Sequence, residues 1–382
     1  MLTSATSTPT QKVRVLFVLT KLNKNGAILS VLSTMRHLEP SRFEPVLFLA
    51  ERSADAAYWD PLLRGIRVVY GLAPQQTWPQ RSPAWLGRLI GAARRADVLV
   101  GAQEASSTYF ALLAAKLTNR PVLGLIQNSL PDHLEHLPKI HRRLVKVLYP
   151  HLTGAVAVSD GVKESLERLV PALERRVTTA YNLIEVERIR AASRASMGGA
   201  APPAQPYIIA VGRLSYQKGF DLLIRAYAAL RAQGFEHKLV ILGDGLEDEN
   251  LQRLTEQLGV EAHVVMPGFI DNPYPWVRGA EVFVSSSRYE GFCRVIAEAL
   301  AVGTPVVATD CPSGPAEVLQ EGRYGVLVEN EDPAALAEGI HALLCDPAQL
   351  RALSEVGPAR AKAFSVGAAP HAFERAILKA LS

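Results

Sequence analysis

Four charged side chains stand at spacings that suit one kind of ligand. In RYEGFCRVIAEAL, residues 288–300, Glu290 precedes a helix-forming run and Glu298 lies inside it. Eight helical residues rise by about 12 Å, so these two carboxylates are too far apart to share one proton or one metal ion. In GRLSYQKGFDLLIRAY, residues 212–227, Arg213 and Lys218 are five apart, ahead of a helix beginning near Phe220. A guanidinium that holds phosphate oxygens two at a time, beside a compact ammonium, suits a diphosphate. Two solvated surface cations are the other reading. A span of about 12 Å is comparable to the reach from a hexose across a diphosphate to a ribose. Glu290 would then hold sugar hydroxyls and Glu298 those of the ribose. The amides of Gly291, Phe292, Cys293, Arg294 and Val295 would face the phosphates, which a positive helix N-terminus favours. The chemistry expected is recognition of a nucleotide sugar, with Glu290, Arg213 and Lys218 at the reacting end.

Such residues need loops held at the ends of buried strands, and the chain supplies them. Short apolar runs bounded by turn residues recur between helical stretches: VRVLFVLT, EPVLFLA, ADVLVGA, PVLGLIQN and TGAVAVSD in the first half. In the second half come YIIAVGRL, KLVILGDG, EVFVSSS, TPVVATD and YGVLVEN. Continuous Val/Ile/Leu runs that do not alternate are the mark of strands covered on both faces, and their alternation with helices predicts parallel βαβ units. The fold class expected is α/β, with two doubly wound, Rossmann-like domains facing across a cleft. Ligands of such sheets bind beyond the carboxyl ends of the strands. Arg213 and Lys218 follow one strand, Glu290 another. A third exit loop, TKLNKNGAILSVL, carries Asn25 and Gly26 where a helix opens, and a glycine there permits close approach of a phosphate. A glycine merely easing the turn is the equal alternative. Neither this loop nor GDGLED (243–248) fits GxGxxG, and no GxxxxGK[ST] run is present.

The segment RAASRASMGGAAPPAQP (190–206) has linker composition, dividing a first domain over 12–190 from a second over 206–363. The tail 364–382 follows the helix that ends the second domain and is expected to pack back on the first. At 382 residues two domains are the natural prior, and 48% hydrophobic with 20% charged residues is an ordinary globular profile. A net charge of +4 argues no nucleic-acid partner. Cys293, Cys311 and Cys345 are widely spaced without Cys/His grouping, so neither a disulfide framework nor a zinc site is expected and a cytoplasmic setting fits. The start MLTSATSTPTQKVRV lacks the apolar region of a signal peptide and reads as a disordered lead-in, and no apolar run is long enough to span a membrane.

EGFCRVIAE (290–298) matches the E-x7-E signature, and GRLSYQKGFDLLIRA the G-R-L-x-x-x-K-G-x-D-x-L-I-x-A pattern, of retaining glycosyltransferases of family 4, which have the GT-B fold. TTAYNLIEVERI resembles the family's YNPVD-like end of the first domain, with Asn182 in place. ALAVGTPVVATDCPSGPAEVL is similar to the segment after the signature in bacterial surface-polysaccharide enzymes. The resemblance covers nearly the whole chain. It implies sugar transfer from a nucleotide diphosphate donor with retention at the anomeric carbon, with no bound metal or other cofactor. Arg213 and Lys218 would take over the ion's task of offsetting leaving-group charge. Carried over by position, Glu290 contacts the donor sugar, Glu298 the ribose, Gly26 a phosphate, and Gly212 opens the second donor loop. The base would lie against PGFIDNPYPW near Phe269 and Ile270. UDP-hexose or UDP-N-acetylhexosamine is the first donor expected and GDP-mannose the second, with a lipid-linked or polysaccharide acceptor in cell-surface glycan synthesis. A nucleotide-sugar epimerase on the same fold and a non-catalytic nucleotide-sugar binding protein are the alternatives.

There are departures from the family pattern. A histidine common after the strand read as PVLGLIQN is replaced by Gln127 and Asn128. His133 and His136 follow and read as surface histidines. The usual glycine pair of the first loop is reduced to Asn25 and Gly26. Arg294 occupies a position that is often small or polar, its reach open between donor, acceptor and solvent. Cys293 stands at a helix N-terminus, where a thiol can turn nucleophilic, but no covalent role is expected of it. KIHRRLVKVLYPHL (139–152) carries Arg142, Arg143 and Lys146 among Ile140, Leu144, Val147 and Leu148. It reads either as a packed helix with a solvated basic face or as a peripheral contact with an anionic membrane, on the inner face of the plasma membrane.

Overall fold

The computed structural model describes residues 12–53, 55–72, 82–195, 201–366 and 370–382. The lead-in 1–11, linker residues 196–200 and residues 367–369 of the tail lie outside the described residues. The chain forms two compact units. One runs to Val158, resumes at Lys163–Ala180 and is completed by Pro370–Ser382; the other comprises Ser159–Val162 and Tyr181–Ala369.

The first unit holds seven strands: β1 (Val13–Leu19), β2 (Phe43–Leu49), β3 (Arg67–Tyr70), β4 (Val98–Gly101), β5 (Val122–Ile126), β6 (Gly154–Ala157) and β7 (Val177–Thr179). They pair in parallel in the order β3-β2-β1-β4-β5-β6-β7. The second unit holds β8 (Tyr207–Val211), β9 (Lys238–Leu242), β10 (Val264–Gly268), β11 (Val282–Ser285), β12 (Val306–Thr309) and β13 (Val326–Val328), also parallel, in the order β10-β9-β8-β11-β12-β13. Both sheets are doubly wound and Rossmann-like, as the uninterrupted apolar runs predict. All ten of those runs form strands. The three strands without such a run, β3, β7 and β10, are sheet edges whose residues are mostly half-exposed. An edge strand lacks a neighbour on one side and has less need of apolar residues on both faces, so the signal that marks central strands is weak there.

The core of the second unit shows what makes the sheet rigid. Ile208 and Ala210 of β8, Leu239 and Ile241 of β9, and Val282 and Val284 of β11 are buried against Leu223 and Tyr227 of the helix Phe220–Ala232 and Ile340 of the helix Pro333–Leu344. Each large aliphatic side chain so buried contributes about 1.5–3 kcal/mol.

The border between units comes earlier than linker composition places it. Residues 181–192 group with the second unit, and the run read as the start of the linker is partly the helix Val186–Ala192. The reason is packing: Leu183, Ile184, Val186 and Ile189 are buried, and the Arg190 guanidinium donates to the Ala301 carbonyl at 3.0 Å. In the tail, Phe364 is buried in the second unit, edge-on to Tyr181 and Phe292. The helix Pro370–Leu381 belongs to the first unit, where Phe373 stacks on Phe17 of β1 with ring centroids 5.9 Å apart. The buried Glu374 carboxylate accepts the Glu39 amide at 2.8 Å.

Candidate functional site

Strand order locates the crevices. In the second sheet the chain runs outward from β8 through β9 to β10, then from β11 through β12 to β13, so it reverses between β8 and β11. Loops at the carboxyl ends of such a pair are where open α/β sheets bind ligands. The β8 loop carries Gly212, Arg213 and Lys218, and the β11 loop carries Glu290.

Several contacts staple these two loops together. Gly219 sits at φ +60°, and a Cβ there would run into the Ser286 carbonyl oxygen, so only glycine lets the loops press this close. Ser286 Oγ donates to the Lys218 carbonyl at 2.9 Å, the Arg288 amide to the Gln217 carbonyl at 2.8 Å, and Gln217 Nε2 to the Tyr289 carbonyl at 3.0 Å. The Lys218 stem crosses Gly212, where a Cβ would meet Cε at 3.3 Å. Its Nζ reaches Glu290 Oε1 at 2.5 Å, and Ser287 Oγ donates to the same oxygen at 2.7 Å.

The pair is largely buried, with side-chain exposures of 18% for Lys218 and 7% for Glu290. Burial works against the Lys218 charge, but the Glu290 carboxylate outweighs it and holds the ammonium above its ordinary value. Ser287 belongs to the candidate site through its bond to Glu290, and nothing in the serine run, read only as strand, singles it out. Arg213, five residues before Lys218 in the β8 loop, is exposed, and among the described residues no hydrogen bond or ion pair holds its guanidinium.

Beyond Glu290 the helix Arg294–Val302 begins after Cys293, which sits in the left-handed region at φ +57°. The first amides of the helix, those of Arg294 and Val295, have no carbonyl within it to bond. Gly291 and Phe292 are buried in the turn. Cys293 is buried as well, and burial, aided by Glu290, pushes its thiol up to about 12, so the sulfur is an inert packing group. Glu298 lies one helical turn beyond Arg294 and pairs with it at 3.1 Å, while Arg294 also donates to the Leu183 carbonyl at 3.1 Å. Arg294 is therefore tied down inside its own unit rather than extended to solvent. Burial pushes the Glu298 carboxyl up, against the pull of Arg294.

In the loop after β10, Phe269 is 37% exposed and Ile270 half-buried, and Asn272 anchors the loop through Nδ2 to the Ala192 carbonyl at 2.9 Å. Asn182 is buried.

In the first sheet the chain reverses between β1 and β4. Gly26 opens the helix Gly26–His37 and is exposed, with Asn25 Oδ1 capping it through the Ile28 amide at 2.9 Å. Gln127 and Asn128 follow β5, and both backbone amides donate to Glu104 Oε1 of the β4 loop. His133 lies half-buried in the helix Leu130–Glu135 and His136 is exposed beyond it.

The basic segment forms the helix Ile140–Leu148, with Val145 and Tyr149 buried. Ile140, 53% exposed, and Val147, 64% exposed, point outward with Lys139, Arg142, Arg143 and Lys146. Among the described residues no helix is long and apolar enough to cross a membrane, and no three His, Cys, Asp or Glu side chains gather as metal ligands. Cys293, Cys311 and Cys345 are free thiols.

Residues 24–188 match the family model described as Glycosyltransferase Family 4, and residues 197–360 that described as Glycosyl transferases group 1. The N-acetylgalactosamine-N,N'-diacetylbacillosaminyl-diphospho-undecaprenol 4-alpha-N-acetylgalactosaminyltransferase of Campylobacter jejuni is 31% identical over 260 residues, 67% of this chain and 69% of that protein. The lipopolysaccharide core biosynthesis glycosyltransferase LpsE of Rhizobium meliloti is 33% identical over 202 residues, 53% of this chain and 57% of that protein. The chain thus spans little more than half of the second relative's length. The crystal structure of Anabaena Alr3699/HepE in complex with UDP-glucose is similar with a TM-score of 0.78 at 19% identity, covering 96% of this chain and 99% of that one. At that identity the likeness shows the fold alone.

Proposed function

We propose, from the premise that this chain belongs to the family 4 type of glycosyltransferases with the GT-B fold, that it moves a hexose or N-acetylhexosamine from a UDP-sugar to a lipid-linked or polysaccharide acceptor of the cell surface, with retention. The observation that carries this reading is the Lys218–Glu290 pair at the strand-order reversal of the second sheet. Glu290 Oε1 is engaged by Lys218 and Ser287, which leaves Oε2 to accept hydroxyls of the donor sugar. Lys218, Arg213 and the amides of Arg294 and Val295 meet the diphosphate charge, so the transfer is read as metal-independent. As the bond from the anomeric carbon to the phosphate oxygen breaks, the acceptor oxygen bonds that carbon on the same face. The acceptor proton passes to the departing phosphate oxygen, and no protein nucleophile is needed. The acceptor class is supported by the Campylobacter and Rhizobium relatives, whose names give a diphospho-undecaprenol-linked substrate and the lipopolysaccharide core, and the base by the UDP-glucose in the Anabaena structure.

A thermal-shift panel of UDP- and GDP-sugars tests the donor. A ligand at 100 times its Kd stabilises the fold by about 2.7 kcal/mol, so the true donor stands out. Glu298→Ala is expected to weaken that donor by about tenfold through loss of a charge-assisted hydrogen bond to the ribose. If no nucleotide sugar shifts the melting curve, or if the product carries the inverted anomer, the reading fails.

The outward face of Ile140–Leu148 supports peripheral membrane contact as well. From Leu137 to Val158 there is no acidic residue, while Lys139, Arg142, Arg143 and Lys146 surround the exposed Ile140 and Val147. At about 1 kcal/mol per cation near an anionic surface, replacing Arg142, Arg143 and Lys146 by glutamine should reduce vesicle binding roughly 100-fold. Flotation with phosphatidylglycerol vesicles at low salt measures it; wild-type protein left wholly in the soluble fraction would rule the contact out.

A further inference from the structure

The geometry points to Glu104, at the strand-order reversal of the first sheet, as the residue that accepts a hydroxyl of the acceptor sugar. The inference rests on the transferase reading above and adds a residue to it. β1 and β4 are neighbours from which the chain runs outward in opposite directions, so the loop after β4, residues 102–105, lies where a ligand of this sheet belongs.

The loop is built to hold one carboxylate. Ala105 sits at φ 56° and ψ −118°, a conformation that alanine rarely adopts, and strain of this kind collects at functional sites. The strained peptide is tied on both sides. The Ala105 amide donates to Tyr149 Oη at 3.3 Å, and Thr108 Oγ1 donates to the Gln103 carbonyl at 2.7 Å. Gly101 lets the helix Ser106–Thr118 close on β4, since a Cβ there would meet the Thr108 Cα at 2.5 Å.

Glu104 Oε1 accepts the amides of Gln127 and Asn128, with Asn128 Nδ2 at 3.4 Å, and is saturated by them. Glu104 is half-buried, so its position is fixed while the second carboxylate oxygen, Oε2, is left over. A second observation is independent of the first. Gln127, 5% exposed, spends its side-chain amide on the Ala102 carbonyl at 3.1 Å and keeps Oε1 buried with no hydrogen-bond partner. Buried polar atoms are rarely left unpaired. The hydrogen bond from the Gln127 amide to Glu104 brings a residue with an unpaired oxygen against one with a spare carboxylate oxygen, a pairing that suits a ring presenting hydroxyl groups.

A brace for the β5 loop needs only an acceptor at Oε1, which glutamine also provides. A hydroxyl acceptor at Oε2 is lost when that atom becomes an NH2 donor. Glu104→Gln therefore separates the two roles. Wild type and variant would be compared with UDP-glucose and with UDP-N-acetylglucosamine as donor and octyl hexosides as acceptors, following transfer, donor hydrolysis in water and melting temperature.

The expected result is unchanged melting, unchanged donor binding and unchanged hydrolysis, with kcat/KM for the acceptor lowered by about 10- to 150-fold, the range of a hydrogen bond to a charged group. Transfer by the variant within about threefold of wild type overturns the proposal. So does a parallel loss of stability and donor binding, which marks Glu104 as a brace, and so does saturable transfer to none of the hexosides by the wild type. Donor hydrolysis by the wild type reports the transferase reading separately, so the two fail by different signals.

Discussion

Lys218→Ala is expected to lower kcat/KM for sugar transfer by about 10³-fold, at the upper end for removing one donor aimed at developing negative charge. The same substitution leaves Glu290 as a buried carboxylate with only Ser287 to meet it. Breaking a buried pair in this way costs about 3–5 kcal/mol, so the variant should also melt earlier. The two effects separate by pH. The pair holds the lysine above its ordinary value of 10.5, so the native state binds this proton more tightly than the unfolded chain does. Its stabilisation is present in full below that ordinary value and is lost as the pH rises through the higher folded-state value. Between pH 6 and 9 the stability gap between wild type and Lys218→Ala should therefore stay flat. Single-turnover transfer and chemical denaturation measure both quantities. A variant retaining more than a tenth of wild-type turnover would remove Lys218 from the chemistry.

Arg213→Ala should behave differently. Its guanidinium is exposed and unheld among the described residues, so no buried partner is orphaned and the melting temperature should not move. Transfer should nevertheless fall by about 10²-fold if the guanidinium closes on the leaving diphosphate. Because that charge grows as the glycosidic bond breaks, the loss should sit mainly in kcat, with donor KM little changed. A rise in KM at constant kcat would make Arg213 a binding residue only, and unaltered kinetics would return it to the solvated surface. The contrast expected between two cations five residues apart, a loss of both stability and transfer for one and of transfer alone for the other, follows from the burial of Lys218 and the exposure of Arg213.

The central architecture was legible because strands covered on both faces must be apolar throughout. YIIAV and VFVS could hardly be anything else, and their exit loops named Arg213, Lys218 and Glu290 before any contact was known. That Lys218 meets Glu290 across 72 residues of sequence depends on β8 and β11 being adjacent, which no local pattern states. Ser287 is invisible for a different reason: three serines in a row read alike, and only the turn that lays Ser287 Oγ on Glu290 Oε1 singles one out. An arginine at the start of a helix reads alike whether it is tied down or free, and only the Leu183 carbonyl and Glu298 decide the case of Arg294. The border near Ala180 leaves no mark in composition, which locates where a chain is loosely constrained, whereas a unit's edge is set by which core takes up Leu183 and Ile184.

The helix Pro370–Leu381 gives the first unit an order of assembly. On the ribosome, the β1–β7 sheet emerges while the residue that will stack on Phe17 is not yet made. About 190 further residues must be translated first, a delay of roughly 10–40 s at ordinary elongation speeds. Through that interval the nascent sheet carries an uncovered greasy strip over Phe17, and the second unit can mature before the first is sealed. A frameshift just upstream of residue 370 would therefore do its damage at the opposite end of the gene product, in the unit that was synthesised first.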